Sequence, residues 1–425
     1  MGALLCAVAC GPAHSRAPAR VPTAAPSGKV QANDVQAPAD RCDGQRDPLV
    51  PVRRVLDNGL EVEVWQMREA RASVRLELPV GRLDGPPHLA HLVEHVVADW
   101  IGRGAGVLSI SAMGAGSSAQ TGPRTTSFSV GGSPHDLLRF VWLLRRGLAL
   151  PVISEEDVRT AVAVVRKEEE EKARMLGYPG RIAWEAALRG QRNGTVDPLA
   201  IPAYTPDDIV AFSTERYRID GAKLVVRSPY PPARIAPHVV ALWEDAPPGR
   251  PKPRPNAHDE PPRGVARICV AGLERASFVY AVPDVVPSFD EDLVTILTEV
   301  FQTQTKDAAE RIDGGGGLVD RVGVQRQRGV PLQEGWTFMA YAGSDLPWDT
   351  LERVGRALIP SIWKIDPEAL VHAAAARWYA AAVRTTCGPP PPRPDPSAFV
   401  PEELPAPPPP RLLVLVRGEA ACSQR

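Results

Sequence analysis

The chain has 425 residues, 44% of them hydrophobic and 23% charged, which fits a soluble globular protein of two or three domains. A formal net charge of −1 leaves no basic field for nucleic acid, and no segment is long and apolar enough to span a bilayer as a helix. Six cysteines without a Cys-x-x-Cys pair exclude a zinc knuckle and a dithiol redox site, while the 46 prolines gather before residue 52, around 229–262 and around 388–410. Those clusters predict a leader and tether over 1–51, a first domain over 52–250, a linker over 251–264, and a second domain over 265–425 with a Pro-rich loop at 388–410.

The N-terminus, Met1 to Gly11, is short and apolar, and has small residues before Cys10. It resembles a bacterial lipoprotein signal in which Cys10 is lipidated, so the expectation is a lipid anchor and an envelope protein facing the periplasm. The other reading is a disordered Ala/Pro-rich leader on a cytoplasmic protein.

Folded structure is predicted to begin with a hairpin. Val52–Leu56 meets the turn Asp57-Asn58-Gly59, and Leu60, Val62 and Val64 then alternate with Glu61 and Glu63. Val74, Leu76, Leu78 and Val80 form a second alternating run. Asp84-Gly85-Pro86-Pro87 makes a turn before a helix whose apolar side is Leu89, Leu92, Val93 and Val96.

That helix carries His91-Leu92-Val93-Glu94-His95. His91 and His95 are one turn apart on one face, the spacing two imidazoles need to hold one zinc ion. Glu94, beside them, can take a proton from water without being a ligand. Further on, Val158, Ala161, Val162, Val165 and Leu176 form the stripe of another helix that carries Glu168 to Glu171. By helical period Glu168 and Glu169 fall in or at the edge of the apolar arc, and Glu170 and Glu171 fall outside it.

The H-x-x-E-H order is the inverzincin pattern. Taken with Leu56-Asp57-Asn58-Gly59-Leu60, Gly81-Arg82, Ala90 before the motif, Ser118-Ala119-Gln120-Thr121, Thr126, and Tyr204 to Asp208, it resembles the insulinase, pitrilysin and mitochondrial processing peptidase family. The resemblance covers about 52–250 and continues more weakly beyond. It implies an α+β fold of two similar domains, each a mostly antiparallel sheet packed against helices. It also implies a zinc-dependent endopeptidase in which His91, His95 and Glu168 hold the metal and Glu94 is the base. Ser118, Ala119 and Gln120 would lie on a strand that pairs with substrate backbone. Family spacing is what favours Glu168 over Glu169. Two departures stand beside the matches: Ala161 occupies the place of a supporting glutamate, and His88 replaces a glycine, more as a cap than as a fourth ligand. The other function class is an assembly or binding subunit with the same fold and no turnover.

The second half reads as a weaker copy. Strands are predicted over Arg267–Ala271, Phe278–Val282, Trp336–Tyr341 and Leu412–Val416, with a helix carrying Leu293 to Phe301. Gly314–Gly317 and Arg321 resemble the family's glycine-rich turn. Active members of the family bring an arginine and a tyrosine across from a second domain, and the matching positions here are Gln325 and Leu332. The resemblance therefore implies a related partner subunit that supplies those two groups.

Overall fold

The computed structural model describes residues 51–68, 70–103, 109–149, 152–173, 175, 178–246, 263–273, 277–283, 321–328, 334–342, 346–362, 410–418 and 422. The expectations for Cys10, for helix 293–301, for Gly314–Gly317, for Leu332, for Leu176 and for the Pro-rich 251–262 and 388–409 lie outside the described residues.

Two six-stranded sheets organise the chain. The first has the order β1 (Val52–Val55), β2 (Glu61–Gln66), β7 (Lys223–Ser228), β3 (Ala72–Leu78), β5 (Thr126–Gly132), β4 (Gly116–Thr121). The second has the order β6 (Asn193–Val196), β8 (Gly264–Val270), β12 (Pro410–Gly418), β9 (Ser277–Pro283), β11 (Glu334–Ala342), β10 (Arg321–Arg328). From the second strand onward the two sheets repeat one another. In each, a first strand lies parallel to the last strand of its half, and three antiparallel pairings follow to an open edge. They differ at the other edge, where β1 is antiparallel to β2 and β6 is parallel to β8.

The strands form where the sequence alternates. Along β3 the burial alternates strictly, with Val74, Leu76 and Leu78 inside, so period-2 patterning sets which face meets the helices. The first hairpin turns at Asn58 and Gly59. Gly59 takes φ 85°, which suits glycine, and the Asn58 amide donates 2.7 Å to the Trp243 carbonyl. Helices α1 (Leu89–Arg103), α2 (Leu137–Leu148), α3 (Glu155–Ala173), α5 (Pro206–Arg216) and α6 (Pro232–Trp243) cover this sheet or one another. Their core includes Leu92, Val93, Leu76, Phe128, Phe140 and Leu144. The predicted start of α5 is a capping box, with Thr205 accepting from the Asp208 N–H and Asp208 accepting from the Thr205 N–H at 2.8 Å.

One helix and one strand from before residue 250 belong to the second sheet. α4 (Tyr178–Leu188) packs Ala183, Trp184 and Ala187 on Ile268, Leu412, Val414 and Val416, and β6 then pairs with β8. α7 (Trp348–Ile362) covers β9 and β12. Cys269 on β8 is disulfide-bonded to Cys422, a link that the cysteine spacing gave no reason to expect. No helix among the described residues is long and apolar enough to cross a membrane.

Candidate metal centre

The histidines are placed by the burial of α1. Leu89, Leu92, Val93, Val96 and Val97 sink into the core, and the Tyr217 hydroxyl donates 2.9 Å to the Ala90 carbonyl in the first turn, which fixes the helix rotation. The strand ends beside it are held equally closely. A Cβ on Gly81 would run into the Gly122 carbonyl oxygen, and the Gly81 N–H donates 2.8 Å to Asp84, which also pairs with Arg124 at 3.0 Å. Close approach at Gly81 therefore brings the end of β4 against α1.

On that face His91 Nε2 lies 3.2 Å from His95 Nε2. Glu168, from α3, approaches both rings, with Oε2 3.3 Å from His91 Nε2 and Oε1 3.4 Å from His95 Nε2. Ligands at roughly 2.05 Å from one tetrahedral zinc stand about 3.4 Å apart, so two imidazole nitrogens with the carboxylate of Glu168, one oxygen toward each ring, suit that ion in chemistry and spacing. Burial, reinforced by the positive charge of Lys172 nearby, holds His91 at about 2, and burial also lowers His95, so both rings are neutral donors of lone pairs.

Glu169 takes the other side of His91. It is buried, and its carboxylate stands 3.6 Å from His91 Nδ1, opposite the nitrogen that faces Glu168. Adjacent residues on α3 thus serve the two ring nitrogens of one histidine. Sequence periodicity put both glutamates near the apolar arc but weighed them as competitors for one place. Ala161 fills its position with a buried methyl, and Glu169 is the buried carboxylate nearest His91 Nδ1. Glu170 and Glu171 are exposed, as the helical period requires. Lys172 donates 2.8 Å to Glu168 Oε2 from one turn further along α3.

Glu94 is buried and accepts 2.6 Å from the Thr121 hydroxyl, at the end of β4. Burial raises its carboxyl to about 7, with the Thr121 hydrogen bond opposing the shift. Thr126 donates 2.8 Å to the Val80 carbonyl and stands 3.5 Å from the Thr121 hydroxyl. Ser118, Ala119 and Gln120 lie on β4, which pairs with β5 on one side and is the open edge of the first sheet among the described residues. His88 precedes α1 with a left-handed backbone, φ 64°, and is not one of the three metal-spaced groups. A residue that sequence reasoning passed over is Glu185, fully buried on α4 and bonded to Arg82 at 2.8 Å. Its signal was a lone charge inside the apolar run Ile182 to Leu188.

No family model and no curated relative matches the sequence. Solved structures do. A protease from Helicobacter pylori superposes with a TM-score of 0.59 at 15% identity, over 80% of this chain and 86% of that one. The periplasmic protease PqqL from Escherichia coli gives 0.55 at 12% identity, over 89% of this chain and 49% of PqqL. Pitrilysin gives 0.51 at 15% identity, over 86% of this chain and 41% of its own length. The chain has the pitrilysin fold. The resemblance to that family, read from the motif residues, holds at the level of architecture, and the two sheets are the two similar halves it implied. The chain spans about half the length of PqqL and of pitrilysin.

Proposed function

We propose that this chain is a zinc-dependent endopeptidase acting on extended peptides, with His91, His95 and Glu168 as ligands and Glu94 as general base. The observation that carries the reading is the set of three spacings, 3.2, 3.3 and 3.4 Å, among donors from two helices. Zinc held there would acidify a water and polarise the scissile carbonyl. The rest is done by the chain. Thr121 holds one oxygen of Glu94, leaving the other to receive a proton and return it to the leaving amine. Glu169, 3.6 Å from Nδ1, stands behind His91 where a small shift would let it accept the ring N–H. The open edge of β4, at Ser118 to Gln120, offers backbone N–H and C=O groups to an extended peptide, a mode that reads shape more than side chains.

Two further parts of the proposal concern setting. The disulfide Cys269–Cys422 supports an oxidising compartment, in keeping with the periplasmic placement of PqqL and with lipidation at Cys10. A related subunit supplying an arginine and a tyrosine is supported by length, because this chain covers only 49% of PqqL and 41% of pitrilysin. Mixing the chain with such a subunit should raise cleavage far above that of either alone. The domain limits at 250 and 265 are proposed as covalent boundaries, with α4 and β6 lent across them.

The test is cleavage of an unstructured peptide before chelation, after chelation, and after zinc is restored. Activity should vanish and return. Turnover that survives complete removal of metal would refute the mechanism.

A further inference from the structure

We propose that Arg82 is a positioning residue for Glu94, holding the end of β4 so that Thr121 presents the base in working orientation, an inference that rests on the peptidase reading above. Thr121 closes β4 and meets Glu94 twice. Its hydroxyl donates 2.6 Å to Glu94 Oε2, and its backbone N–H bonds the same carboxylate. The other backbone group of Thr121, its carbonyl, accepts from the Arg82 guanidinium. Arg82 also holds the next residue, since its own N–H donates 2.9 Å to the Gly122 carbonyl. The strand end that touches the base is therefore gripped by one residue at two successive carbonyls.

Arg82 is in turn anchored from α4. Its Nε donates 3.0 Å to Glu185 Oε1 and its Nη2 lies 2.8 Å from the same oxygen, which leaves Nη1 for Thr121. Although burial alone would raise Glu185, the charges of Arg82, Arg181 and Arg189 hold it below the usual carboxylate range, so it is ionised and grips the guanidinium as a charged acceptor. Arg189, one residue past α4, donates 2.6 Å to the Arg82 carbonyl. Ala183, Trp184 and Ala187 of α4 pack on the second sheet. A run of contacts thus leads from the second sheet through α4, Arg82 and Thr121 to Glu94.

Stability by itself does not call for this arrangement. A buried ion pair is often no more stable than apolar residues of the same size, and a guanidinium kept for Glu185 alone needs no bond to β4. The third nitrogen goes instead to the residue that holds the base. Arginine suits the task because its planar fork sets donors in two directions at once, whereas a lysine ammonium is a point charge on a flexible stem. A general base acts only within hydrogen-bond reach of the proton it takes, and a displacement of roughly 1 Å can cost about 100-fold in rate.

The experiment measures kcat, KM and zinc content, per folded chain, for the wild type, Arg82→Lys, Glu94→Gln and the double variant, with unfolding midpoints alongside. Arg82→Lys keeps a cation for Glu185 and gives up the planar fork, so kcat should fall roughly 10- to 100-fold while KM and zinc stay close to wild type. In the Glu94→Gln chain the same substitution should leave residual turnover within about twofold, because the group that Arg82 positions is already gone. Glu185→Gln, alone and with Glu94→Gln, repeats the cycle if Arg82→Lys does not fold. An equal loss in both backgrounds places the action of Arg82 elsewhere and overturns the proposal. So does a kcat unchanged from wild type in a variant that only melts earlier. A zinc-loaded wild type that cleaves nothing overturns the peptidase reading, and the positioning role with it.

Discussion

The two sheets repeat one topology, yet they hold different kinds of interior. In the first, α1 crosses between β3 and the edge strand β4, and it carries two histidines and a glutamate into partly buried positions opposite a second helix of glutamates. Every buried polar side chain among the described residues lies at or before Ser228. The second sheet's described core is Ala, Ile, Val, Leu and Trp184, and a disulfide ties Cys269 of β8, next to the edge strand β6, to Cys422. Buried charge costs stability unless it is paired: Glu94 and Glu169 lie with the first sheet beside the two histidines, and Glu185, on the helix that packs with the second sheet, is paired with Arg82. The same strand order stands beside a metal-spaced cluster in one half and, among the described residues, beside none in the other.

The largest expected effect that sharpens this contrast is on Glu94. Glu94→Gln removes the proton acceptor and keeps the shape, so peptide cleavage should fall roughly 10²- to 10⁴-fold while bound zinc is retained. Loss of zinc along with activity would make Glu94 a ligand and move the boundary of the site.

Next in size is the buried pair that joins the halves. Glu185 on α4, packed with the second sheet, meets Arg82, in the turn that follows the first sheet's β3. Glu185→Gln leaves a buried guanidinium unmatched and should cost about 3 kcal/mol in denaturant unfolding. The sign of the pH dependence follows from the lowered folded value. The ionised form's contribution is complete above the ordinary carboxylate value, near 4.3, and fades as pH falls through the folded one. The acid limb of the stability profile should therefore be shallower in Glu185→Gln. An unchanged limb would mean that the pair is not what couples the halves.

The disulfide tests the second half by itself. Cys422→Ser should lower its unfolding midpoint by an amount equivalent to about 2–4 kcal/mol under non-reducing conditions and leave zinc binding unaltered. Equal stability of wild type and variant without reductant would show that the bond does not form in solution. Smaller still is Glu169→Gln. It removes a carboxylate from His91 Nδ1 without touching a ligand, so zinc affinity should drop roughly 10- to 100-fold and remain measurable.

What was legible in the sequence is what depends on near neighbours. Asp57-Asn58-Gly59 announced the first hairpin, the Thr205/Asp208 box announced α5, and strict alternation announced β2 and β3, since turns, caps and pleats are set within a few residues. His91, Glu94 and His95 were legible for the same reason. Glu168 needed family spacing, because helical period alone admits Glu169 equally, and the structure gives both a place on the same imidazole. What escaped lies far apart in the chain. The Arg82–Glu185 pair spans 103 residues and the disulfide 153. β6 is four residues, Asn193 to Val196, whose sequence says nothing of a parallel pairing with Arg267–Val270. Its partner decides its structure, and no local pattern names the partner.

The central claim is that the first half, and not its copy, holds one zinc through His91, His95 and Glu168. Elemental analysis of the purified chain and of Glu168→Gln decides it. One zinc per chain in the wild type and almost none in Glu168→Gln is the result expected from the three spacings. Equal zinc in the two proteins would contradict it.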